Sequence, residues 1–170
     1  MMKLLKTIRF DPSDSQVFEN AAGPDEWAIP GGFRFANAVE DELAGKEKQA
    51  FSNSFLSLTS FGFSTFVSVA EISPEERDDI TARLVRHFID DYGAPSPDAA
   101  GAAAQQEIAF VLDLCEQVPI NSVFTLRRIF DDNAAIKEEF RIVDVPGDCR
   151  LSAGLSDASG NSSGGRILRR

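Results

Sequence analysis

Two helix starts placed one after the other constrain this chain more than any other feature. In Ser73-Pro74-Glu75-Glu76 the serine hydroxyl is positioned to accept from the free amide at the third helical position, and Glu76 to reach back to the cap. Pro74 forfeits only an N–H that has no partner there. Ile80, Leu84, Val85, Phe88, Ile89 and Tyr92 follow at helical spacing and Gly93 with Pro95 ends the run, so the spacing predicts a helix over 74–92. Ser96 and Pro97 repeat the opening, and Ile108, Val111, Leu112, Cys115 and Val118 form the buried stripe of a second helix reaching Gln117.

Everything around this helix pair reads as strands. Residues 3–10 form a first strand stopped by Asp11-Pro12-Ser13-Asp14, and a short helix follows over 15–21. Trp27-Ala28-Ile29 and Phe33-Arg34-Phe35 read as two short strands or as one strand broken at Pro30-Gly31-Gly32, and the charged stretch 37–48 as a solvated connection. Between Phe51 and Ile72 the apolar residues change parity twice, which no single strand with one buried face can do. Two strands in a hairpin, turning near Ser60-Phe61-Gly62, satisfy the pattern. A second hairpin joins 122–130 to 136–145 through Asp131-Asp132-Asn133-Ala134. Only one strand-to-strand connection contains a pair of long helices, and two consecutive helices return the chain without a parallel crossover, which disfavours parallel winding. The expected fold is α+β, a mainly antiparallel sheet with two consecutive helices packed on one face. Residues 1–146 form the single domain, and 147–170 a flexible basic tail rich in Gly and Ser.

Charge and composition exclude several function classes. Lys and Arg number 17 against 27 Asp and Glu, and the tail is basic, so the acid excess falls on the body, which repels phosphate backbones and argues against nucleic-acid binding. No stretch has the apolar length of a secretory signal or a membrane span, and two cysteines make no disulfide framework, which suits a reducing cytoplasm. With one histidine, His87, and distant Cys115 and Cys149, no metal or cofactor is expected. His87 reads as a partly exposed residue at the edge of its helix stripe, Cys115 as core and Cys149 as an incidental thiol. The pairs Asp78-Asp79, Asp90-Asp91 and Asp131-Asp132 are consecutive, so on a helix their carboxylates diverge by about 100° instead of converging on one ion. Dinucleotide, phosphate-loop and serine-hydrolase motifs are missing.

The remaining signal is aromatic: 14 Phe against one Tyr and one Trp. Phe51, Phe55, Phe61, Phe63 and Phe66 differ in parity, so they do not all enter one helix-covered face. Either another part of the chain covers the rest, or they form an apolar patch for a partner subunit or the wall of a small apolar-ligand site. Arg166-Ile167-Leu168-Arg169-Arg170 is an inert end or a docking motif for an acidic partner.

Thr7-Ile8-Arg9-Phe10-Asp11-Pro12-Ser13-Asp14, Glu26-Trp27-Ala28-Ile29-Pro30-Gly31, Ser60-Phe61-Gly62, Val67-Ser68-Val69-Ala70-Glu71 and Tyr92-Gly93-Ala94-Pro95 together resemble an uncharacterised family of small bacterial cytosolic proteins, a domain of unknown function. The resemblance spans about residues 3–145 and contains no reactive residue, so it implies one domain and carries over no catalytic role. The chain therefore reads as a non-catalytic accessory or protein-interaction domain, an assembly factor or small subunit of a larger bacterial enzyme, that self-associates or binds a protein partner. The alternative is a small apolar-ligand-binding domain.

Overall fold

The computed structural model describes residues 1–9, 18–143 and 167–169. Its strands are β1 (Lys3–Ile8), β2 (Trp27–Ile29), β3 (Phe55–Ser57), β4 (Phe63–Ser64), β5 (Phe66–Glu71), β6 (Val123–Phe130), β7 (Ile136–Val143) and β8 (Ile167–Arg169). Its helices are α1 (Gly45–Asn53), α2 (Pro74–Tyr92) and α3 (Pro97–Cys115). The described strands form one antiparallel sheet in the order β4-β3-β2-β1-β5-β6-β7-β8, with α2 and α3 consecutive, so the fold is α+β.

The sheet is curled, and the chain itself requires this. β4 stands at one edge and β5 in the middle, yet only Thr65 separates them. Four strand spacings of about 4.8 Å would hold them roughly 19 Å apart in a flat sheet, whereas two Cα–Cα steps cover about 7 Å at most. The strand therefore bends at Thr65, with its first part paired to β3 and its second to β1 from Ile8↔Phe66 to Lys3↔Glu71.

The helix pair forms as its caps dictate. Ser73 Oγ accepts from Glu76 N–H and Glu76 Oε1 from Ser73 N–H, each at 3.1 Å, while Gly93 takes the left-handed conformation that ends α2. Ser96 Oγ accepts from Ala99 N–H at the head of α3. Ile80, Leu84 and Phe88 from α2, with Ala104, Ile108, Val111 and Cys115 from α3, close over Leu4, Leu5, Val67, Val69, Leu126 and Phe140. Ile89 and Tyr92, expected in the α2 stripe, lie at its exposed border.

Elsewhere the expected elements change. Phe33 to Phe35 belong to a 3-10 turn over Gly32–Phe35 instead of a strand. Gly31 adopts φ 73°, and a Cβ there would stand 2.6 Å from Leu56 Cβ. Residues 37–48 hold a second 3-10 turn, Glu40–Glu42, and the start of α1, so Phe51 is helical, not in a strand. No side chain caps α1, which left no start signal to read. Residues 18–21 are not helical; Ala21 bridges to Phe63, and the rest of the helix expected over 15–21 lies outside the described residues.

Both hairpins form. In the first, Phe61 has φ 57°, and Gly62 lies so close to the 20–22 backbone that a Cβ would come within 2.8 Å of Ala22 N. In the second, β6 and β7 pair from Val123↔Val143 to Phe130↔Ile136, and Asp131 Oδ1 accepts from Asn133 and Ala135 N–H at 2.8 and 2.9 Å. The left-handed residue of that turn is Ala134. Most of the expected tail lies outside the described residues, but its residues 167–169 are β8, paired to β7.

Candidate functional site

The five phenylalanines do not form an outward patch. Phe51, Phe55 and Phe63 are buried, while Phe61 and Phe66 are half-buried. β3 separates two cores: Phe55 points into the cluster under α2 and α3, and its neighbour Leu56 into a second cluster with Phe18, Phe35, Phe51 and Phe63. Residues 33–43 and α1 pack on this second cluster, so a segment of the chain itself covers those rings. Phe51 stacks on Phe130 at 4.7 Å and meets Phe35 edge-on at 5.5 Å.

Sequence reasoning missed a buried ion pair at this second core. Arg128 Nε donates to Glu138 Oε2 at 2.8 Å, with both side chains shielded from solvent. Its other nitrogens donate to the carbonyls of Phe51 and Ser54 at 3.0 Å and to that of Pro30. The last turn of α1 and the irregular chain beside it leave those carbonyls without helix or ladder partners, and the guanidinium supplies them. A signal existed in the sequence: Arg128 shares the parity of Phe124, Leu126 and Phe130, and Glu138 that of Ile136 and Phe140.

Around His87 the structure brings together groups the sequence left apart. His87 stacks on Phe61, their ring centres 3.9 Å apart, with Tyr92 edge-on at 5.3 Å and Phe33 at 6.4 Å. Its side chain is 15% exposed, and Nδ1 lies 2.8 Å from Asp91 Oδ2, one helical turn on. Arg34, Leu56, Phe61, His87, Asp91 and Tyr92 line a cleft of about 300 Å³. A second cleft of about 400 Å³, with Phe33, Val39 and Leu43 in its walls, shares Arg34 and Tyr92 with it. Burial pushes the Tyr92 hydroxyl pKa above its usual value; Arg34 opposes this and Asp91 adds to it.

The other candidate groups have structural roles. Burial pushes the Cys115 thiol pKa up to about 12, partly offset by Lys3, which makes it an inert core residue. Cys149 lies outside the described residues. Asp78 pairs with Arg77 at 3.0 Å and Asp79 with Arg83 at 3.4 Å. Among the described residues, no three His, Cys, Asp or Glu side chains are grouped to hold a metal ion, and no helix is long and apolar enough to cross a membrane.

The two sheet edges are treated differently. At β4, residues 20–22 seal the edge: Phe63 N–H donates to the Asn20 carbonyl at 2.7 Å and Ala22 N–H to the Phe63 carbonyl at 2.8 Å. At the other edge β7 receives β8, with Glu139 opposite Arg169, Phe140 opposite Leu168 and Arg141 opposite Ile167.

The motif segments interlock at the sealed end. Glu26 Oε1 accepts from the Ser57 and Ser60 hydroxyls at 2.6 Å, and Glu26 Oε2 from Gly23 N–H at 2.8 Å. A family of unknown function, DUF6505, has a model that matches residues 2–153. The chain belongs to this family. No curated protein and no solved structure matches it. The DUF6505 match takes in both cores, the His87 cleft and the β7 edge, and ends before β8.

Proposed function

We propose that this DUF6505 chain is a non-catalytic accessory domain that holds an extended segment of a protein partner at the β7 edge. The observation that carries this reading is the addition of β8. A hairpin returns within two to five residues, yet positions 144–166 intervene here, so local turn chemistry does not account for the pairing. The edge takes an extended segment through main-chain hydrogen bonds and reads its side chains by register, as strand-addition domains do. The acidic body favours a basic segment, and Ile167–Arg169, with Arg169 in register opposite Glu139 and with Arg166 and Arg170 flanking it in the sequence, is the example within the chain.

A labelled peptide of residues 165–170 tests the reading against the full chain and against Leu168→Pro, which removes a ladder N–H from the resident segment. The peptide should bind Leu168→Pro at least tenfold more tightly than the unsubstituted chain, and added salt should weaken it. Equal affinity for the two chains, or no binding to either, overturns strand addition.

A further inference from the structure

We propose that the cleft between Arg34, His87 and Tyr92 binds a small monocarboxylate carried on an aromatic or apolar frame. Its lining is separate from the β7 edge, and the inference stands apart from strand addition there.

Three polar groups with bonding capacity to spare converge on one cleft. Arg34 has a single ion pair, to Glu47 at 3.7 Å, with both side chains well exposed, a contact that contributes little and leaves the guanidinium fork open to a closer carboxylate. Tyr92 brings a hydroxyl with no partner among the described residues. His87 has Nδ1 2.8 Å from Asp91 Oδ2, and its Nε2 has no hydrogen-bond partner among the described residues.

The charge count selects among anions. The cleft offers one permanent cation, Arg34, beside Asp91, while Glu42 and Glu47 stand in the adjoining cleft and the whole chain carries a net charge of −10. A single carboxylate finds one guanidinium partner and the least repulsion from Asp91, Glu42 and Glu47; a dianionic phosphate meets about twice that repulsion with no second permanent cation to offset it. The remaining lining selects the frame. Phe61 and the Tyr92 ring are apolar surface over the buried Leu56, continuous through Tyr92 with Phe33 and Leu43 in the second cleft. At about 300 Å³ the cleft stands at the lower end of the range for ligand sites, so its occupant is small.

The chain has one histidine and one tyrosine, so each ring gives its own proton NMR signals and both report on this cleft. Titration of the full chain with phenylacetate should shift both sets saturably. Phenethylamine, a similar frame bearing an ammonium, should leave them in place. Arg34→Gln should weaken phenylacetate at least tenfold, and Tyr92→Phe, which removes only the hydroxyl, severalfold. Ring signals that do not move at millimolar phenylacetate overturn the proposal. Equal affinity in Arg34→Gln or in Tyr92→Phe, each with its melting temperature retained, does the same. So does inorganic phosphate competing as well as phenylacetate, which would mean an anion site indifferent to the frame.

Discussion

The two cores of this molecule are closed by different means. The first lies under α2 and α3, two helices with serine caps whose apolar stripes repeat at helical spacing, and the residues the two helices bury in it are hydrocarbon apart from the Cys115 thiol. The second lies under α1 and the turns of 33–43 and is built largely from phenylalanine rings. A helix satisfies its own interior carbonyls, so a helical cover needs no polar group inside. The last turn of α1 and the irregular chain around it leave the carbonyls of Pro30, Phe51 and Ser54 pointing inward, and there the fold keeps a buried arginine with its counter-charge, Glu138. Backbone regularity in the covering layer thus sets how much polar chemistry the core beneath must contain.

That contrast breaks most directly at Arg128. Arg128→Met leaves Glu138 buried without its counter-charge and three carbonyls without a donor, and urea unfolding should show a loss of about 3–5 kcal/mol. The double variant Arg128→Met/Glu138→Leu removes the stranded charge but not the orphaned carbonyls, each worth about 1–3 kcal/mol, so it should recover only part of the loss. Full recovery would mean that the guanidinium serves the ion pair alone. Phe51→Ala tests the aromatic half of the same core. Its ring is stacked and buried, so stability should fall by about 3–5 kcal/mol with the state of association unchanged, as seen by light scattering. A stable variant with altered association would restore the outward patch.

Legibility in the sequence follows the same division. The caps Ser73 and Ser96, the stripe from Ile80 to Phe88 and the Asp131 turn are local signals, and each element lies where its spacing puts it. The second core rests on contacts between residues far apart in the chain. Phe51 changes from strand to helix because an uncapped α1 starts without a signal, and 33–35 coil because Gly31 turns the backbone against Leu56. The inward parity of Arg128 and Glu138 was readable, but the carbonyls they serve belong to Pro30, Phe51 and Ser54, which no sequence period connects to β6. The His87 cleft was hidden for the same reason: Arg34, Phe61 and His87 come from three separate segments.

On the regular side the expected effects are smaller, because its bonds are redundant. Ser73→Ala removes one half of a reciprocal cap, leaves the stripe of α2 intact, and should cost about 1 kcal/mol in urea unfolding. A loss as large as that of Arg128→Met would mean that the helical cover is as fragile as the irregular one, and the contrast would fail.

The smallest effect expected is a pH dependence confined to the sealed sheet end, where Glu26 joins 23–27 to the 57–62 turn. Burial raises its pKa, but hydrogen bonds from the Ser57 and Ser60 hydroxyls and from the Gly23 and Ser60 amides more than offset this, so the folded value lies below the ordinary glutamate range. A carboxylate with a depressed folded pKa contributes stability that is fully present above its unfolded pKa and is lost as pH falls through the folded value. Acid should therefore loosen the 57–62 turn while the serine-capped helices hold. Trp27 is the single tryptophan and follows Glu26 directly, so its fluorescence reports on this junction, and far-ultraviolet circular dichroism reports on the helices. In the unsubstituted chain the Trp27 signal should change on acidification before the helical signal does. Glu26→Gln retains an acceptor and loses the titration, so its Trp27 signal should become less sensitive to acid over the same range. An acid response of Trp27 that is identical in the two chains would remove Glu26 as its cause.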